Sequence, residues 1–238
     1  MKSETNISNK GLVRMLKQVH LGGLVEQCVL SFNDGTVSTQ CVDMANSMFI
    51  SARAKTDVSD KLKIGINHLG TLCKYLEDGG EEATCIIKEK VLLAKRKSFG
   101  QMKFTLLDPE QVPNNVDDDD ATNKITKGLE LSCALSEEVI KAFAYNMGLA
   151  KSGGVIFEVN DNSLHLKSNK TENIQFNIPI GEVKTSEEIS IEVLGEHLAK
   201  VFDIVSSDKE VTIHFGAEKP VVIKSKNTVW AFTPIRQA

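Results

Sequence analysis

LVEQCVLSFNDGTVSTQCVD, residues 24–43, sets two alternating apolar runs about Asn33-Asp34-Gly35. Alternation with a period of two predicts strands, and Asn, Asp and Gly accept the positive φ that a tight hairpin turn requires. The same plan returns 127 positions later in GGVIFEVNDNSLHLKSN, residues 153–169, where two alternating runs flank Asn160-Asp161-Asn162.

The surroundings of the hairpin recur as well. GLVRMLKQV precedes the first copy and EEVIKAFAYNM precedes the second, both with helical periodicity. Downstream, LKIGINHLGTLCKYLEDGGEEATCII reads as strand, helix, strand, with Leu69, Leu72, Cys73 and Leu76 on one inward face. ISIEVLGEHLAKVFDIVSSDKEVTIHF repeats it with Leu198, Val201, Phe202 and Val205. The halves close on MKFTLL and VWAFTPI. An internal duplication predicts an α+β chain of two similar domains, each with antiparallel sheets, two helices and roughly eight strands. The expected bounds are 1–110 and 127–238, joined by a connector over 111–126. Two prolines, two asparagines and four consecutive aspartates in DPEQVPNNVDDDDATNK mark that connector as surface chain.

Bulk properties narrow the function. A formal charge of −4 and a pI near 5.8 exclude a protein that wraps nucleic acid with its whole surface, while leaving room for a local basic patch. Residues 1–10 are polar and do not read as a signal peptide, and no apolar run approaches the ~20 residues of a membrane span. Five cysteines, an odd number with no CxxC pair, predict a reducing compartment, nuclear or cytoplasmic, without disulfides. Phosphate-binding glycine loops, HExxH and GxSxG are missing, and the histidines at 20, 68, 165, 197 and 214 are scattered. His165 and His214 fall in strands, where a surface or cross-strand role is expected. Asp117–Asp120 lacks a turn glycine and further oxygen ligands, so it reads as solvated linker. The expectation is a protein that is not an enzyme and takes no cofactor or metal.

One helix face stands out. In KGLVRMLKQVHLGG, residues 10–23, Leu12, Leu16 and Val19 form the apolar stripe, and Lys10, Arg14 and Lys17 form another with no acid among them. The second helix offers His68 and Lys74. The third sets Lys141 against Glu137 and Glu138, with Lys151 following it, and the fourth sets His197 and Lys200 against Glu196 and Asp203. Charge is thus expected to be segregated, cations on helix faces and acids in loops and turns.

Three segments carry a resemblance to a known family. TQCVDMANSMFISA (39–52) resembles a strand with a hydrophobic-Asp pair and small polar residues before an apolar run. MKFTLLDPEQVP (102–113) resembles the strand that leads into an interdomain connector, and WAFTPIRQA (230–238) resembles a final apolar strand. With the duplication, they resemble the DNA sliding clamps of the proliferating cell nuclear antigen type. The resemblance implies a homotrimer closing head to tail into a ring of six domains. It implies sequence-independent contact with double-stranded DNA by Lys10, Arg14, Lys17, Lys74, Lys141 and Lys200, with the first helix carrying more of it than residues 137–147. The implied role is a processivity factor that tethers a DNA polymerase and other DNA-processing enzymes and is loaded by a clamp loader ATPase. Partners with short peptide motifs would dock on Val42, Phe49, Val112, Pro113, Pro220, Ala231, Phe232 and Pro234; for Phe232 an ordinary core position is an equal alternative. LLAKRKSFGQM (92–102) would meet NIQFNIPI (173–180) across the subunit interface, with Ile174, Phe176, Ile178, Lys97 and Phe99 taking part. The alternatives are a subunit of a checkpoint-type heterotrimeric clamp, or an α+β interaction protein without DNA. A monomeric viral processivity factor fits less well, because basic content is low.

Overall fold

A computed structural model describes residues 5–79, 83–97, 100–169, 173–208 and 210–235, with side chains from Gly11 onward. The chain divides into two compact units. One is Met1–Met44 with Ile50–Asp117, the other Ala45–Phe49 with Asp118–Ala238. The division falls between residues 117 and 118, inside the expected connector.

In the first unit β1 (Thr5–Ser8) leads into α1 (Asn9–His20). Then come β2 (Cys28–Asn33), β3 (Thr36–Val42), β4 (Met48–Lys55), β5 (Leu62–Ile66), α2 (Leu69–Asp78), β6 (Thr84–Lys88), β7 (Val91–Arg96) and β8 (Gly100–Thr105). One set of strands runs β1-β6-β7-β8 and the other β5-β2-β3-β4. The second unit carries a short helix, α3 (Ala121–Thr126), ahead of its repeat of the order. The second unit repeats the order with β9 (Leu131–Ala134), α4 (Glu137–Ala150), β10 (Gly154–Asn160), β11 (Ser163–Ser168), β12 (Asn177–Glu182), β13 (Ile189–Leu194), α5 (Gly195–Val205), β14 (Thr212–Phe215), β15 (Val221–Ser225) and β16 (Thr228–Phe232). Its strands run β12-β11-β10-β13 and β16-β15-β14-β9.

Turn chemistry sets both hairpins. Asn33 faces Thr36, leaving Asp34 (φ 46°) and Gly35 (φ 71°) as a two-residue turn. Asn160 faces Ser163 around Asp161 (φ 49°) and Asn162 (φ 60°). Two positive φ values match the right-handed twist of the flanking strands, which is why Asn, Asp and Gly occupy these sites.

The helices bury the stripes their spacing predicts. Leu12, Leu16 and Val19 of α1, Leu69, Leu72, Cys73 and Leu76 of α2, and Leu198, Val201, Phe202 and Val205 of α5 are all buried. In α4, Val139, Ile140 and Phe143 turn inward, and Phe143 meets Phe202 edge-on at 4.9 Å between ring centroids. Cys28, Cys41, Cys73 and Cys85 are buried free thiols. Desolvation raises the last three to about 12, leaving them in their unreactive protonated form.

The connector is more ordered than its composition suggests. Asp108 caps a 3₁₀ turn at Pro109–Gln111 by accepting from Glu110 N–H at 3.2 Å. Gly65 N–H donates to Leu107 O, and Leu107 N–H donates back to Gly65 O. A Cβ on Gly65 would sit 2.7 Å from Leu107 O, so this approach requires glycine. Beyond it, Val42 N–H donates to Asn114 O and Val116 N–H to Gln40 O, laying the chain along β3. The aspartate run, expected to be purely solvated, also has local work. Asp118 accepts from Asp120 N–H at 3.0 Å and from Lys124 Nζ at 2.7 Å, bracing the start of α3, and Asp117 accepts from Lys63 at 2.7 Å.

Candidate nucleic-acid interface

The solvent side of α1 presents Arg14 and Lys17, both exposed; Lys10 lies on the same helix, where side chains are outside the described set. The HLGG sequence ends the helix because Leu21, Gly22 and Gly23 all take positive φ. Glu26 then joins α1 to α2. Its Oε1 lies 2.9 Å from His20 Nε2, its Oε2 accepts from Gly70 N–H at 3.3 Å, and its carbonyl accepts from Leu69 N–H at 2.9 Å. Partial burial opposes ionisation of Glu26, but the hydrogen bonds to His20 and Gly70 N–H outweigh it and hold the carboxyl below its ordinary value.

This junction brings α2 beside the basic stripe, and with it an acid that spacing within α1 cannot reveal. Lys17 Nζ meets Glu77 Oε1 at 2.6 Å, both side chains about half exposed. The expectation of an acid-free stripe is therefore corrected at Lys17. The pair is worth only about 0.2–1 kcal/mol in such surroundings, so a phosphate can replace it. Lys74 of α2 is also exposed.

The second unit is different. Ser136 caps α4 by accepting from Val139 N–H at 3.3 Å. Lys141 pairs with Glu137 at 2.6 Å and Lys200 with Glu196 at 3.1 Å, each four residues apart on its own helix. Beyond Lys141, the exposed side of α4 carries Tyr145 and Leu149, 70% and 54% exposed. His197, expected on the outer face of α5, is instead buried, with Nδ1 3.0 Å from Ser47 Oγ. His165 lies 2.9 Å from Asn177 across β11 and β12, and His214 Nε2 lies 3.0 Å from Thr212 Oγ1. Burial, with nearby Lys224, keeps His214 below its ordinary pKa.

Several residues expected to receive a peptide are closed off. Phe49, Val112, Ala231 and Phe232 are buried, the first and the last two in strand stretches covered on both faces and Val112 at the end of the 3₁₀ turn. In the first unit Val42 is half-buried and Pro113 exposed, and Met44, which sequence reading passed over, is 75% exposed with its sulfur accepting from Asn114 Nδ2 at 3.1 Å. In the second, Pro220 and Pro234 are half-buried and Ile235 is exposed.

The expected interface strands also shift. β7, the body of LLAKRKSFGQM, lies inside its sheet between β6 and β8, so β8 forms the edge and that stretch supplies only its first residues. Lys97 is exposed in the turn before β8, and Phe99 lies outside the described residues. β12 is an edge as well, with a register shift opposite Pro179. Ile174 is 54% exposed. Phe176, however, packs edge-on against Phe143 at 6.0 Å, and Ile178 is buried, so both serve their own unit's core.

No protein-family model matches the sequence, and no curated protein matches it. Solved structures do match. A. fulgidus PCNA bound to the C-terminal region of FEN-1 aligns over 100% of both chains with a TM-score of 0.77 and 16% identity. The Entamoeba histolytica protein aligns over 98% of both chains, TM-score 0.73, 12% identity. A putative DNA polymerase III beta subunit from Eubacterium rectale matches 99% of this chain and 66% of its own, TM-score 0.75, 10% identity. The chain has the sliding-clamp fold.

Proposed function

We propose that this protein is a DNA sliding clamp. Three copies close head to tail around duplex DNA, and the ring acts as a processivity factor that tethers a DNA polymerase and other DNA-processing enzymes. The observation that carries this reading is the basic face of α1 in a chain whose whole length aligns with clamps. A ring holds DNA topologically, so it needs neither base readout nor tight binding. Lysine and arginine contacts to phosphates suffice, and they carry no sequence information. Arg14, Lys17 and Lys74 are accessible for this role, with Lys141 and Lys200 adding less because each faces an acid on its own helix.

The open edges β8 and β12 support ring closure, since an edge strand is stable in water only when short, blunted or paired. A peptide partner would engage the connector of the first unit, where Val42, Met44 and Pro113 are accessible. A clamp loader ATPase would open and close the ring, and the protein would act where DNA is replicated, in nucleus or cytoplasm. No catalytic step is assigned to it.

The test is DNA synthesis on a primed circular template with Arg14→Glu/Lys17→Glu. The expected result is loss of long products with the oligomer mass unchanged. Full-length synthesis by this variant would contradict the assignment of α1 to the DNA.

A further inference from the structure

The outer face of the β1-β6-β7-β8 sheet carries a charge pattern that the helix-lined DNA contact leaves unexplained. Residues 84–105 contain six cations, Lys88, Lys90, Lys95, Arg96, Lys97 and Lys103, and one acid, Glu89. Register determines where they point. Cys85, Ile87, Leu92, Ala94 and Phe104 form the buried face. The opposite face holds Thr84, Lys95 and Gln101 in one cross-strand row, with Ile86, which is buried, Leu93 and Lys103 in the next. Lys95 and Lys103 are therefore diagonal neighbours on adjacent strands, about 7–8 Å apart at the backbone.

Neighbouring like charges on one sheet face repel, and an anion that binds across them relieves that repulsion. At the end of the sheet, Thr84, Lys95, Arg96, Lys97, Gly100 and Gln101 line a cavity of about 680 Å³. Arg96 is turned toward α2, its guanidinium 5.2 Å from the centre of the Tyr75 ring and its Nη2 donating to Asp78 O at 2.8 Å. The cations left on the outer face are lysines, compact point charges that can contact phosphates along a duplex without a fixed bidentate geometry. Among the described residues the face has no aromatic side chain on which unpaired bases could stack.

The geometry points to a second contact for duplex DNA, made by Lys95 and Lys103 to its phosphates on the outer sheet of the first unit. This contact goes beyond the helix face and does not require a ring. It gives the protein a place to hold duplex that lies alongside it.

The test is binding to a linear duplex of about 30 bp across a salt series, in the Arg14→Glu/Lys17→Glu background that disables the helix face. The expected result is residual, salt-sensitive binding. Adding Lys95→Gln/Lys103→Gln lowers its log–log salt slope by about 1.8, at about 0.9 per phosphate contact. An unchanged slope, or no residual binding to begin with, overturns the proposal. So does capture of a polyglutamate peptide that depends on Lys95 and Lys103 while duplex binding does not. The outcome is separable from the clamp reading, which is read from wild-type synthesis on the primed circle. That synthesis can succeed while the sheet contact fails, and the reverse.

Discussion

The helix pairs of the two units share a plan and differ in both core and surface. α1 has three cations and no acid, and α2 has one cation and two acids, a net of +2. α4 has one cation against two acids and α5 the same, a net of −2. Inside, Leu16 and Cys73 in the first unit stand where Phe143 and Phe202 meet in the second. At the junction, Glu26 accepts from the start of α2, whereas the equivalent carbonyl on α5's side belongs to Gly153, which accepts from Gly195 N–H at 3.0 Å. Duplication has kept the positions that set topology and released the rest. The second unit rests on an aromatic core and an α4 exterior that turns apolar beyond Lys141, and the first carries the cations.

The largest expected consequence lies in the core. Phe202→Ala removes a fully buried ring and its edge-on contact, and should cost about 3–5 kcal/mol in urea unfolding. Cys73→Ala, the equivalent change in the first unit, removes a single sulfur and should cost about 1 kcal/mol. Equal losses would break the comparison. Next comes the surface. Arg14→Glu/Lys17→Glu should shorten products on a primed circle by tenfold or more, and Lys141→Glu/Lys200→Glu should do so several-fold less. A reversed ranking would move the DNA contact to the second unit.

The smallest effect concerns pH. Because Glu26 sits below its ordinary value, it contributes stability above that value and loses it as pH falls through its folded pKa. The gap in urea midpoint between wild type and Glu26→Gln should therefore be present at pH 7 and narrow as pH falls below the ordinary carboxylate range. A gap independent of pH would mean that the carboxylate's charge does not hold the junction.

Much of this was legible in the residues because it is local. The Asn33-Asp34-Gly35 and Asn160-Asp161-Asn162 turns announce their hairpins, and period 3.6 marks the buried stripe of each helix. What escaped depends on contacts between distant residues. Glu77 reaches Lys17 across sixty positions, and no spacing within α1 could show it. Phe232 fits docking and core equally by alternation, and only packing buries it, as it does Phe49. KRKSFGQM reads as one extended run until the turn at Lys97 separates β7 from the edge strand β8. α3 was hidden by its aspartates, which look like solvated linker but brace the helix start.

The central claim is encirclement, and one measurement addresses it directly: the protein loaded on nicked circular DNA, sized in solution, and followed as the circle is linearised. The account predicts a particle of three chains retained on the circle and released from the linear form by sliding off its ends. A monomer, or equal retention on circular and linear DNA, would contradict it.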